Sequence, residues 1–246
     1  MTRFFIPAEQ IKGNRVILTG DDRHHLVHVM RQEVGSKITV LNGRGAEYMA
    51  VIQEIGPDFV IGEIRETVAR AAEPRLKIRL VQSLPKADKF ELLLQKNTEI
   101  GVSVFQPALT ERSTIKLDAA TAAKKEERWR KIIREAAEQA GRQVIPLLEP
   151  VRTWTEVLNH LPPGLILIPW EGEREVSLKK VLTGVPESLE TITVIIGSEG
   201  GFSQGEVDRA RDRGAIPVTL GPRILRTETA GLVVATALLY HFGDLD

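Results

Sequence analysis

The chain has 246 residues, of which 42% are hydrophobic and 27% are charged, enough for one large domain or for two smaller ones. Its 33 Lys and Arg equal its 33 Asp and Glu, which argues against nucleic-acid binding by bulk charge but is compatible with a local basic face. Cysteine is absent, which excludes disulfides, cysteine zinc ligands and thiol nucleophiles.

The N-terminus carries no recognisable export signal, because the apolar run at residues 4–6 is too short for one. We therefore expect a cytoplasmic protein. A membrane partner is not expected either, since the most apolar stretch, residues 230–242, is shorter than the roughly 20 residues that span a bilayer.

The first seventy residues or so have the pattern of a small β domain. Short strand-like runs separated by glycine-containing turns predict strands at residues 16–18, 37–42, 47–55 and 59–66. One helix is predicted between them, at residues 22–32, with Asp21 or Asp22 as its cap. Residues 68–74 have no clear period and include a proline, so we assign them to a linker. The predicted domains are residues 1–72 and 73–246.

Strands and helices alternate in the rest of the chain. Strands are predicted at residues 77–83, 104–109, 165–170, 192–196 and 216–220. Helices are predicted at residues 86–100, at residues 119–140, after the capping boxes Thr153/Glu156 and Ser203/Glu206, and at residues 230–242. This alternation is typical of an α/β fold with a mainly parallel sheet covered by helices on both faces.

Two of the predicted strands end in glycine-containing loops. Gly197, Gly200 and Gly201 follow the strand at 192–196, and Gly221 follows the next strand. Neighbouring strand ends that open into such loops build ligand clefts in α/β sheets, although each loop alone also fits an ordinary tight turn. Neither loop matches G-x-G-x-x-G or the G-K-[ST] phosphate cradle, so we predict a nucleoside-like ligand without a pyrophosphate.

The last predicted helix is apolar nearly all round, which predicts burial on more than one side and a subunit interface. Thr227 or Thr229 is expected to cap it, with Glu228 in its first turn. Arg226 and Glu228 stand at this helix start beside the predicted cleft. We favour a functional role for them over a surface ion pair.

Ser198 raises a rival interpretation as a nucleophile. G-S-E-G after a strand is similar to the hydrolase elbow G-x-S-x-G, with His241 as the histidine. However, Ile196 replaces the first glycine of that motif, and the predicted helix starts several residues too late. Hydrolase chemistry is therefore disfavoured.

Basic residues form two candidate RNA-binding groups. His24 and His28 are spaced i, i+4, and Arg31 continues their face of the predicted helix. Because His25 replaces the glutamate of the zinc motif H-E-x-x-H, we favour a solvated helix face or an RNA-facing strip over a metal site. The strip would also need these residues beside it: Arg3, Lys37 and Arg44. In the second domain, a polyanion groove could be lined by Lys86, Lys89, Lys96 and the T-E-R-S segment at residues 110–113. The basic helix around residues 124–134 contains interleaved glutamates and is interpreted as ordinary charged surface.

These motifs resemble one family over the whole chain. The most specific are I-G-S-E-G-G-F at residues 196–202 and L-G-P-R-I-L-R-T-E-T-A at 220–230, with support from residues 25–31, 95–102, 110–113, 128–129 and 135–139. The chain resembles the RsmE family, SPOUT-class methyltransferases that use S-adenosylmethionine to methylate N3 of one uridine in 16S ribosomal RNA. Ser198 departs from the proline usual in that family, which further disfavours a nucleophilic serine.

The resemblance implies a SPOUT α/β domain with a deep trefoil knot at residues 73–246, preceded by a PUA-like β-barrel that binds RNA. It overrides the general rule that protein chains are not knotted. It also implies a homodimer formed through the C-terminal domain and a substrate in the small ribosomal subunit.

Site residues follow from the same resemblance. S-adenosylmethionine is expected to contact Ile168, Pro169, Trp170, Ile196, Gly197, Ser198, Gly200, Gly201, Leu220, Gly221, Ile224, Leu225 and Thr229. The strand end at residues 168–171, which includes Glu171, is expected to help enclose its adenine and ribose. Arg226 is expected to stabilise charge on the uracil, and Glu199 or Glu228 to take the N3 proton directly or through water. RNA is expected to contact Arg3, His24, His28, Arg31, Arg44, Lys86, Lys89, Lys96 and Arg112, and no metal is expected.

Two other functions remain open at this point. A non-catalytic RNA-binding protein would bind ribosomal RNA without affinity for S-adenosylmethionine, and the glycine loops argue against it. A nucleotide-dependent oxidoreductase would bind NAD, but the chain lacks the pyrophosphate fingerprint.

Overall fold

The computed structural model describes residues 3–69, 72–86, 89–113, 115 and 119–245, and the chain divides into two compact units. The first comprises Met1–Glu73 and Ala137–Ile145, and the second Pro74–Ala136 and Pro146–Asp246. The sequence pattern does not anticipate that residues 137–145 belong with the first unit. Parts of two predicted elements lie outside the described residues: Arg70 and Ala71 of the linker, and Ala87 and Asp88 of the helix at 86–100.

The described part of the first unit contains a six-stranded sheet. Its strands are β1 (Arg3–Phe5), β2 (Ile11–Lys12), β3 (Arg15–Thr19), β4 (Lys37–Leu41), β5 (Glu47–Ile55) and β6 (Phe59–Val68). They lie in the order β1-β4-β5-β6-β3-β2, with β1 parallel to β4 and the other neighbours antiparallel. The predicted strands are confirmed, and β1 and β2 are added to them.

Side chains that alternate along these strands form two clusters in the first unit. The main core consists of Phe4, Ile6, Val16, Leu18, Leu26, Ile38, Val40, Ala50, Ile52 and Val60. Because successive side chains of a strand point to opposite faces, Phe5 and Leu41 face away from that core. They pack with Ala137 and Ile145, which explains why this segment belongs with the first unit.

The helix of the first unit ends earlier than predicted. It runs as α1 over Gly20–His24 and continues as a wider π-helical turn over His25–Val29. Arg31 then adopts a left-handed φ of 51°, and the N–H of Gln32 donates to the carbonyl of Leu26 at 3.1 Å. This closure usually uses glycine, so the sequence gives no sign of it.

The cap predicted for α1 is wrong. Thr19 holds the N-cap position, and no side chain makes a capping hydrogen bond there. Asp21 and Asp22 lie in the first turn, where their charges face the positive end of the helix dipole.

The second unit is an α/β domain. Its strands are β7 (Lys77–Ser83), β8 (Val104–Leu109), β9 (Leu147–Leu148), β10 (Arg152–Thr153), β11 (Leu165–Pro169), β12 (Thr191–Ile196) and β13 (Ala215–Val218). Its helices are α2 (Lys89–Ile100), α3 (Ala119–Gln139, which ends in the first unit), α4 (Trp154–Asn159), α5 (Leu178–Thr183), α6 (Gln204–Arg211) and α7 (Thr227–His241). The capping boxes predicted at α4 and α6 are confirmed.

The predicted parallel sheet is confirmed. Strands pair in the order β10-β8-β7-β12-β11-β13, with β9 beside β8, and every one of these pairs is parallel. Val81 and Ile195 pack with α4 and α6 on one face. On the other face, a Cβ atom at Gly231 of α7 would lie 3.5 Å from Leu80, and α7 packs on α2. Helices therefore cover both faces.

Candidate ligand cleft

The ends of three neighbouring strands enclose a cleft of about 910 Å³ in the second unit. β11 lies between β12 and β13 in a parallel sheet, so the segments that follow these strands meet at one edge. The lining comes from residues 169–171, 173–174, 196–199, 201–202 and 219–227, together with Lys89 and Ala230. This position and volume are typical of a site for a nucleoside-sized ligand.

The first glycine loop is a tight turn. The N–H of Gly201 donates to the carbonyl of Ser198 at 3.0 Å, and Gly201 has a φ of 65°, which favours glycine. A Cβ atom at Gly197 would lie 3.1 Å from the backbone of Gly201. The turn therefore closes on itself only because both positions lack a side chain.

Residues 110–113, which follow β8, brace this turn. The Ser198 hydroxyl donates to the carbonyl of Arg112 at 3.2 Å, and Nη1 of Arg112 donates to the carbonyl of Gly200 at 2.7 Å. The fully buried carboxylate of Glu206 accepts the N–H of Glu111 at 2.7 Å. Arg112, a predicted RNA contact, thus has a structural partner in the first loop.

A second brace joins the turn to the start of α7. Nε2 of the buried Gln82 donates to Oγ1 of Thr227 at 2.9 Å and to the carbonyl of Gly197 at 3.2 Å. The Thr227 hydroxyl in turn donates to the carbonyl of Gly197 at 2.6 Å. The predicted cap of α7 is therefore wrong, because Arg226 holds the N-cap position and no side chain makes a capping hydrogen bond there. Sequence reasoning missed Gln82, whose only signal is an amide inside a buried strand.

Ser198 and His241 do not form a catalytic pair. Ser198 is 6% exposed and its hydroxyl is bonded to Arg112. The first glycine loop contacts the first residue of α7, whereas His241 is the last, about 21 Å farther along a helix that rises 1.5 Å per residue. The arrangement rules out the hydrolase alternative.

Lys89, which lines the cleft, faces two carboxylates: Glu199, also in the lining, and Glu228, outside it. Nζ of Lys89 lies 3.1 Å from Oε1 of Glu199 and 3.7 Å from Oε2 of Glu228. The N–H of Lys86 also donates to both carboxylate oxygens of Glu199, at 3.2 and 3.3 Å. Partial burial by itself raises the pKa of Glu199, but hydrogen bonds from its own N–H, Lys89 and Lys86 outweigh burial and hold the pKa below its ordinary value.

Three arginines line the cleft with exposed side chains: Arg174, Arg223 and Arg226. None of the described residues forms a hydrogen bond or ion pair with their guanidinium groups. Ile224, between two of them, is 86% exposed. The second loop therefore presents free positive charge around an exposed apolar side chain.

The structure brings together most of the residues predicted to bind a cofactor. Ten of the thirteen line the cleft: Pro169, Trp170, Ile196, Gly197, Ser198, Gly201, Leu220, Gly221, Ile224 and Leu225. Ile168 is fully buried in the core, Gly200 lies outside the lining and Thr229 lies in the first turn of α7. Glu199 and Arg226 also line the cleft, whereas Glu228 does not. Glu171, in the strand end expected to enclose the adenine and ribose, is part of the lining, and sequence reasoning missed Arg174.

The predicted RNA contacts of the first unit differ in their availability. The rings of His24 and His28 lie 4.9 Å apart on the exposed face of α1 and the π-helical turn, and Arg31 and Arg44 are exposed. Arg3, by contrast, is 18% exposed at its side chain and pairs with Glu47 at 2.8 Å. Its cation is therefore engaged inside the first unit.

The two remaining lysines of the prediction lie in the second unit. Lys86 is exposed, whereas the ammonium of Lys96 pairs with Glu99 at 2.8 Å on the same helix. Within the described residues, no group of three or more metal-binding side chains is arranged around a metal site. Nor does any described helix have the length and apolar character needed to cross a membrane.

A parallel sheet whose adjacent strand ends open into glycine loops around such a cleft defines the class of this protein. It is an α/β domain suited to a nucleoside-containing ligand, joined to a small β domain.

Comparison with known proteins narrows this class to a family. The model of the RNA methyltransferase PUA domain matches residues 18–65, and that of the RNA methyltransferase domain matches residues 72–239. Ribosomal RNA small subunit methyltransferase E of Bacillus subtilis (strain 168) is 34% identical, over 98% of this chain and 97% of the relative. The chain therefore belongs to the RNA methyltransferase family, with a PUA-like domain at its N-terminus.

Solved structures agree with this assignment. A methyltransferase from Legionella pneumophila in complex with the cofactor SAM is 32% identical, with a TM-score of 0.87 over 98% of each chain. A ribosomal RNA small subunit methyltransferase E from Neisseria gonorrhoeae, bound to S-adenosyl methionine, is 30% identical, with a TM-score of 0.87 over 98% of this chain and 97% of the other.

Proposed function

We propose that this protein transfers a methyl group from S-adenosylmethionine to N3 of one uridine in 16S ribosomal RNA of the small subunit. The observation that carries the proposal is the cleft, where two glycine loops meet Lys89, Glu199 and the free guanidinium of Arg226. Support comes from the relatives, because proteins named ribosomal RNA small subunit methyltransferase E match nearly the whole chain.

The residues of the cleft fit S-adenosylmethionine. Gly197, Gly201 and Gly221 contribute backbone to the lining, and nothing lies within 4 Å of an added Cβ atom at Gly221. Pro169, Trp170 and Leu220 provide apolar surface for a purine. Carboxylates in the lining suit the positive sulfonium. When bound, the cofactor supplies a methyl group that is already activated for transfer.

The reaction needs removal of a weakly acidic proton. Uridine N3 carries a proton, so the transition state gains from a group that accepts it and from a cation that stabilises charge on the uracil oxygens. Arg226 is the cation we assign, because its guanidinium is free of described partners and lines the cleft. It also orients the base.

Glu228 is the proton acceptor we assign, acting through water. Glu199 is disfavoured in this role, since its pKa is held low by donors that already occupy its carboxylate. Oε2 of Glu228 accepts no hydrogen bond from the described residues, and its nearest cation, Lys89, lies 3.7 Å away.

RNA recognition falls to the first unit and to the rim of the cleft. The target uridine must leave any stack or pair before its N3 is reachable. The exposed His24, His28, Arg31 and Arg44 are the residues we assign to contacts with the RNA backbone and shape.

A homodimer through the second unit completes the proposal. Tyr240 of α7 is 74% exposed, Val233 on the same helix 39%, and Leu92 on the adjoining α2 48%. Exposed apolar surface on two packed helices is typical of a subunit interface.

The trefoil knot is the finer part of the proposed fold. β13 lies at the sheet edge, yet the chain returns from it to place α7 on β12 and β7. On the way, Thr219 is paired with the segment before α5, through hydrogen bonds to Val176 and Leu178. This return path supports a threaded loop, and the chain trace of a crystal structure tests it.

The function is tested with small ribosomal subunits from a strain that lacks the modification. The protein is incubated with them and methyl-labelled S-adenosylmethionine, and digested RNA is analysed by mass spectrometry for 3-methyluridine. We expect labelled 3-methyluridine with the wild type and with Arg209→Ala, an exposed arginine of α6 outside the cleft, and loss of label with Arg226→Ala. RNA binding without any methylation overturns the proposal.

A further inference from the structure

Gln82 is a buried polar residue to which the proposed mechanism gives no role. It is the second-to-last residue of β7 and is 1% exposed. Its Nε2 donates to the carbonyl of Gly197 at 3.2 Å, to Oγ1 of Thr227 at 2.9 Å and to the carbonyl of Ser83 at 2.8 Å. One side chain therefore joins the end of β7 to the first glycine loop and to the start of α7.

A neighbouring glutamine shows what a structural amide does in the same sheet. Gln106 of β8 is 2% exposed, and its Nε2 also donates to the carbonyl of the residue that follows it, Pro107, at 2.9 Å. Its second acceptor is the carbonyl of Pro150 at 2.7 Å, and neither proline lines the cleft. In both glutamines, Oε1 is buried without a hydrogen bond from the described residues. The two amides therefore differ in the elements that they hold together.

The start of α7 relies on the contact with Gln82 because it has no cap of its own. Arg226 holds the N-cap position, and its side chain makes no capping hydrogen bond. The next residue, Thr227, is 5% exposed, and its hydroxyl accepts from Gln82 and donates to the carbonyl of Gly197 at 2.6 Å. A buried hydroxyl that is bonded both as donor and as acceptor fixes the backbone that carries it.

This backbone places the guanidinium of Arg226. No described residue forms a hydrogen bond or ion pair with that group, so its position follows from the backbone beside Thr227. A displacement of about 1 Å in a group that acts on the transition state costs roughly 100-fold in rate. The first glycine loop has further supports, since Ser198 and Arg112 also bond across it. Loss of the Gln82 amide should therefore affect Arg226 more than the loop.

We propose that Gln82 is a positioning residue for methyl transfer, which acts through Thr227 to hold the guanidinium of Arg226 toward the target base. Gln82 itself does not line the cleft. The inference rests on the proposed function, in which Arg226 stabilises charge on the uracil. It predicts a loss of rate without a comparable loss of cofactor affinity.

A mutant cycle between Gln82 and Arg226 tests this role. Single-turnover rate constants are measured at saturating S-adenosylmethionine, with small ribosomal subunits that lack the modification, for the wild type, Gln82→Leu, Arg226→Ala and the double variant. Gln106→Leu is the matched control, because it removes a similarly buried amide from the neighbouring strand. Calorimetric titration with S-adenosylhomocysteine measures cofactor affinity, and thermal unfolding verifies that each variant is folded.

We expect Gln82→Leu to slow methyl transfer by roughly 10-fold and to change the affinity for S-adenosylhomocysteine by less than about 3-fold. In the Arg226→Ala background the same substitution should have little further effect, because the group that it misplaces is already absent. Gln106→Leu should keep the rate constant within about 2-fold of the wild type, because it holds no element of the cleft.

Thr227 provides a second route to the same test. If Gln82→Leu does not fold, Thr227→Val takes its place in the cycle, since valine has the shape of threonine without the hydroxyl. It should slow methyl transfer in the wild-type background and have little effect in Arg226→Ala. Thr227→Ser, which keeps the hydroxyl, should restore most of the rate.

Two results overturn the inference while leaving the proposed function intact. One is an unchanged rate constant at saturating cofactor, whether or not the binding of S-adenosylhomocysteine is weakened. The other is an equal decrease in the wild-type and Arg226→Ala backgrounds, which assigns the amide to the stability of the sheet. If the wild type itself forms no 3-methyluridine, the proposed function fails, and the inference fails with it.

Discussion

Nζ of Lys89 lies 3.1 Å from Oε1 of Glu199, so the first residue of α2 holds a carboxylate of the first glycine loop. The same ammonium lies 3.7 Å from Glu228. One positive charge therefore faces both carboxylates that were considered as acceptors of the N3 proton. The lowered pKa of Glu199 depends in part on this lysine, which was predicted from the sequence to contact RNA.

Replacing this lysine raises the pKa of Glu199. In Lys89→Ala the carboxylate keeps its backbone donors but loses the hydrogen bond from Lys89 and its nearest cation, while the burial that favours the neutral form remains. A ¹³C NMR titration of the glutamate carboxyl groups should show the pKa of Glu199 moving up toward its ordinary value. Lys96→Ala, which removes a lysine of the same helix paired with Glu99, should leave it unchanged. Equal pKa values in wild type and Lys89→Ala contradict the assignment.

Glu73 ties residues 142–144 into the first unit, and its removal should destabilise that unit. Its carboxylate accepts from Nη2 of Arg142 at 2.7 Å and from the N–H groups of Gln143 and Val144 at 2.9 and 3.1 Å. Glu73→Gln removes the carboxylate that pairs with the buried guanidinium of Arg142, so we expect a loss of about 2 kcal/mol in the free energy of unfolding at pH 7, the effect of a hydrogen bond between charged groups. Urea denaturation measures the loss, and faster hydrogen exchange at the amides of Gln143 and Val144 locates it.

The same contact predicts a dependence on pH. Burial by itself raises the pKa of Glu73, but Arg142 and the two backbone donors outweigh burial and lower it. A lowered pKa means that the contact stabilises fully above the unfolded value of 4.5 and is lost as the pH falls through the folded value. The gap in stability between wild type and Glu73→Gln should therefore narrow below pH 4.5. A difference in stability that does not change with pH contradicts this prediction. Glu66→Gln, at an exposed glutamate of β6, is the control.

Replacing Gly201 should weaken ligand binding in the cleft. Gly201→Ala places a Cβ atom 3.0 Å from Glu171 at a φ of 65°, so either the carboxylate or the turn must move. We expect roughly 10-fold weaker binding of S-adenosylhomocysteine and a loss of about 1 kcal/mol in stability. Gly205→Ala is the matched control, since that helical glycine has nothing within 4 Å of the added atom. It should keep ligand affinity and gain stability, and equal behaviour of the two variants contradicts the role of the turn.

Local patterns in the sequence explain which parts of the fold were predictable. β5 matches its predicted bounds, and β12 matches to within one residue, because each has enough residues to display a strand period or a continuous buried run. β9 and β10 have two residues each, which is too few for any period. The two glycine loops were also predictable, because a glycine that follows the end of a strand is a local pattern in the sequence.

Long-range partnerships explain what was missed in the site. Gln82 acts through Gly197 and Thr227, which are 115 and 145 positions away in the chain. Arg3 is a free cation in the sequence but pairs with Glu47, 44 positions away. Composition and spacing do not encode such contacts. The sequence therefore gives no sign that the charge of Arg3 is neutralised by Glu47.

Disrupting the exposed face of α7 should dissociate the proposed dimer. Tyr240→Lys places a charge on a side chain that is 74% exposed in the single chain and would be buried in the interface. Sedimentation equilibrium should show a dimer for the wild type and at least about 10-fold weaker association for the variant. Arg209→Ala, on an exposed face of α6, should remain dimeric. A wild type that is monomeric at all concentrations refutes the interface.

Arg226→Ala should slow methyl transfer without weakening the binding of the cofactor. If its guanidinium stabilises negative charge on the uracil, the loss falls on the transition state, and we expect a decrease of roughly 100-fold in kcat. The affinity for S-adenosylhomocysteine should stay within about 2-fold of wild type, because the backbone of both loops is retained.

The rate of the variant should also recover as the pH is raised, since a more basic solution forms the uracil anion without help. Single-turnover rates across pH measure this, with Arg209→Ala as control. A variant that loses cofactor affinity but keeps its rate constant assigns Arg226 to the cofactor instead of the base.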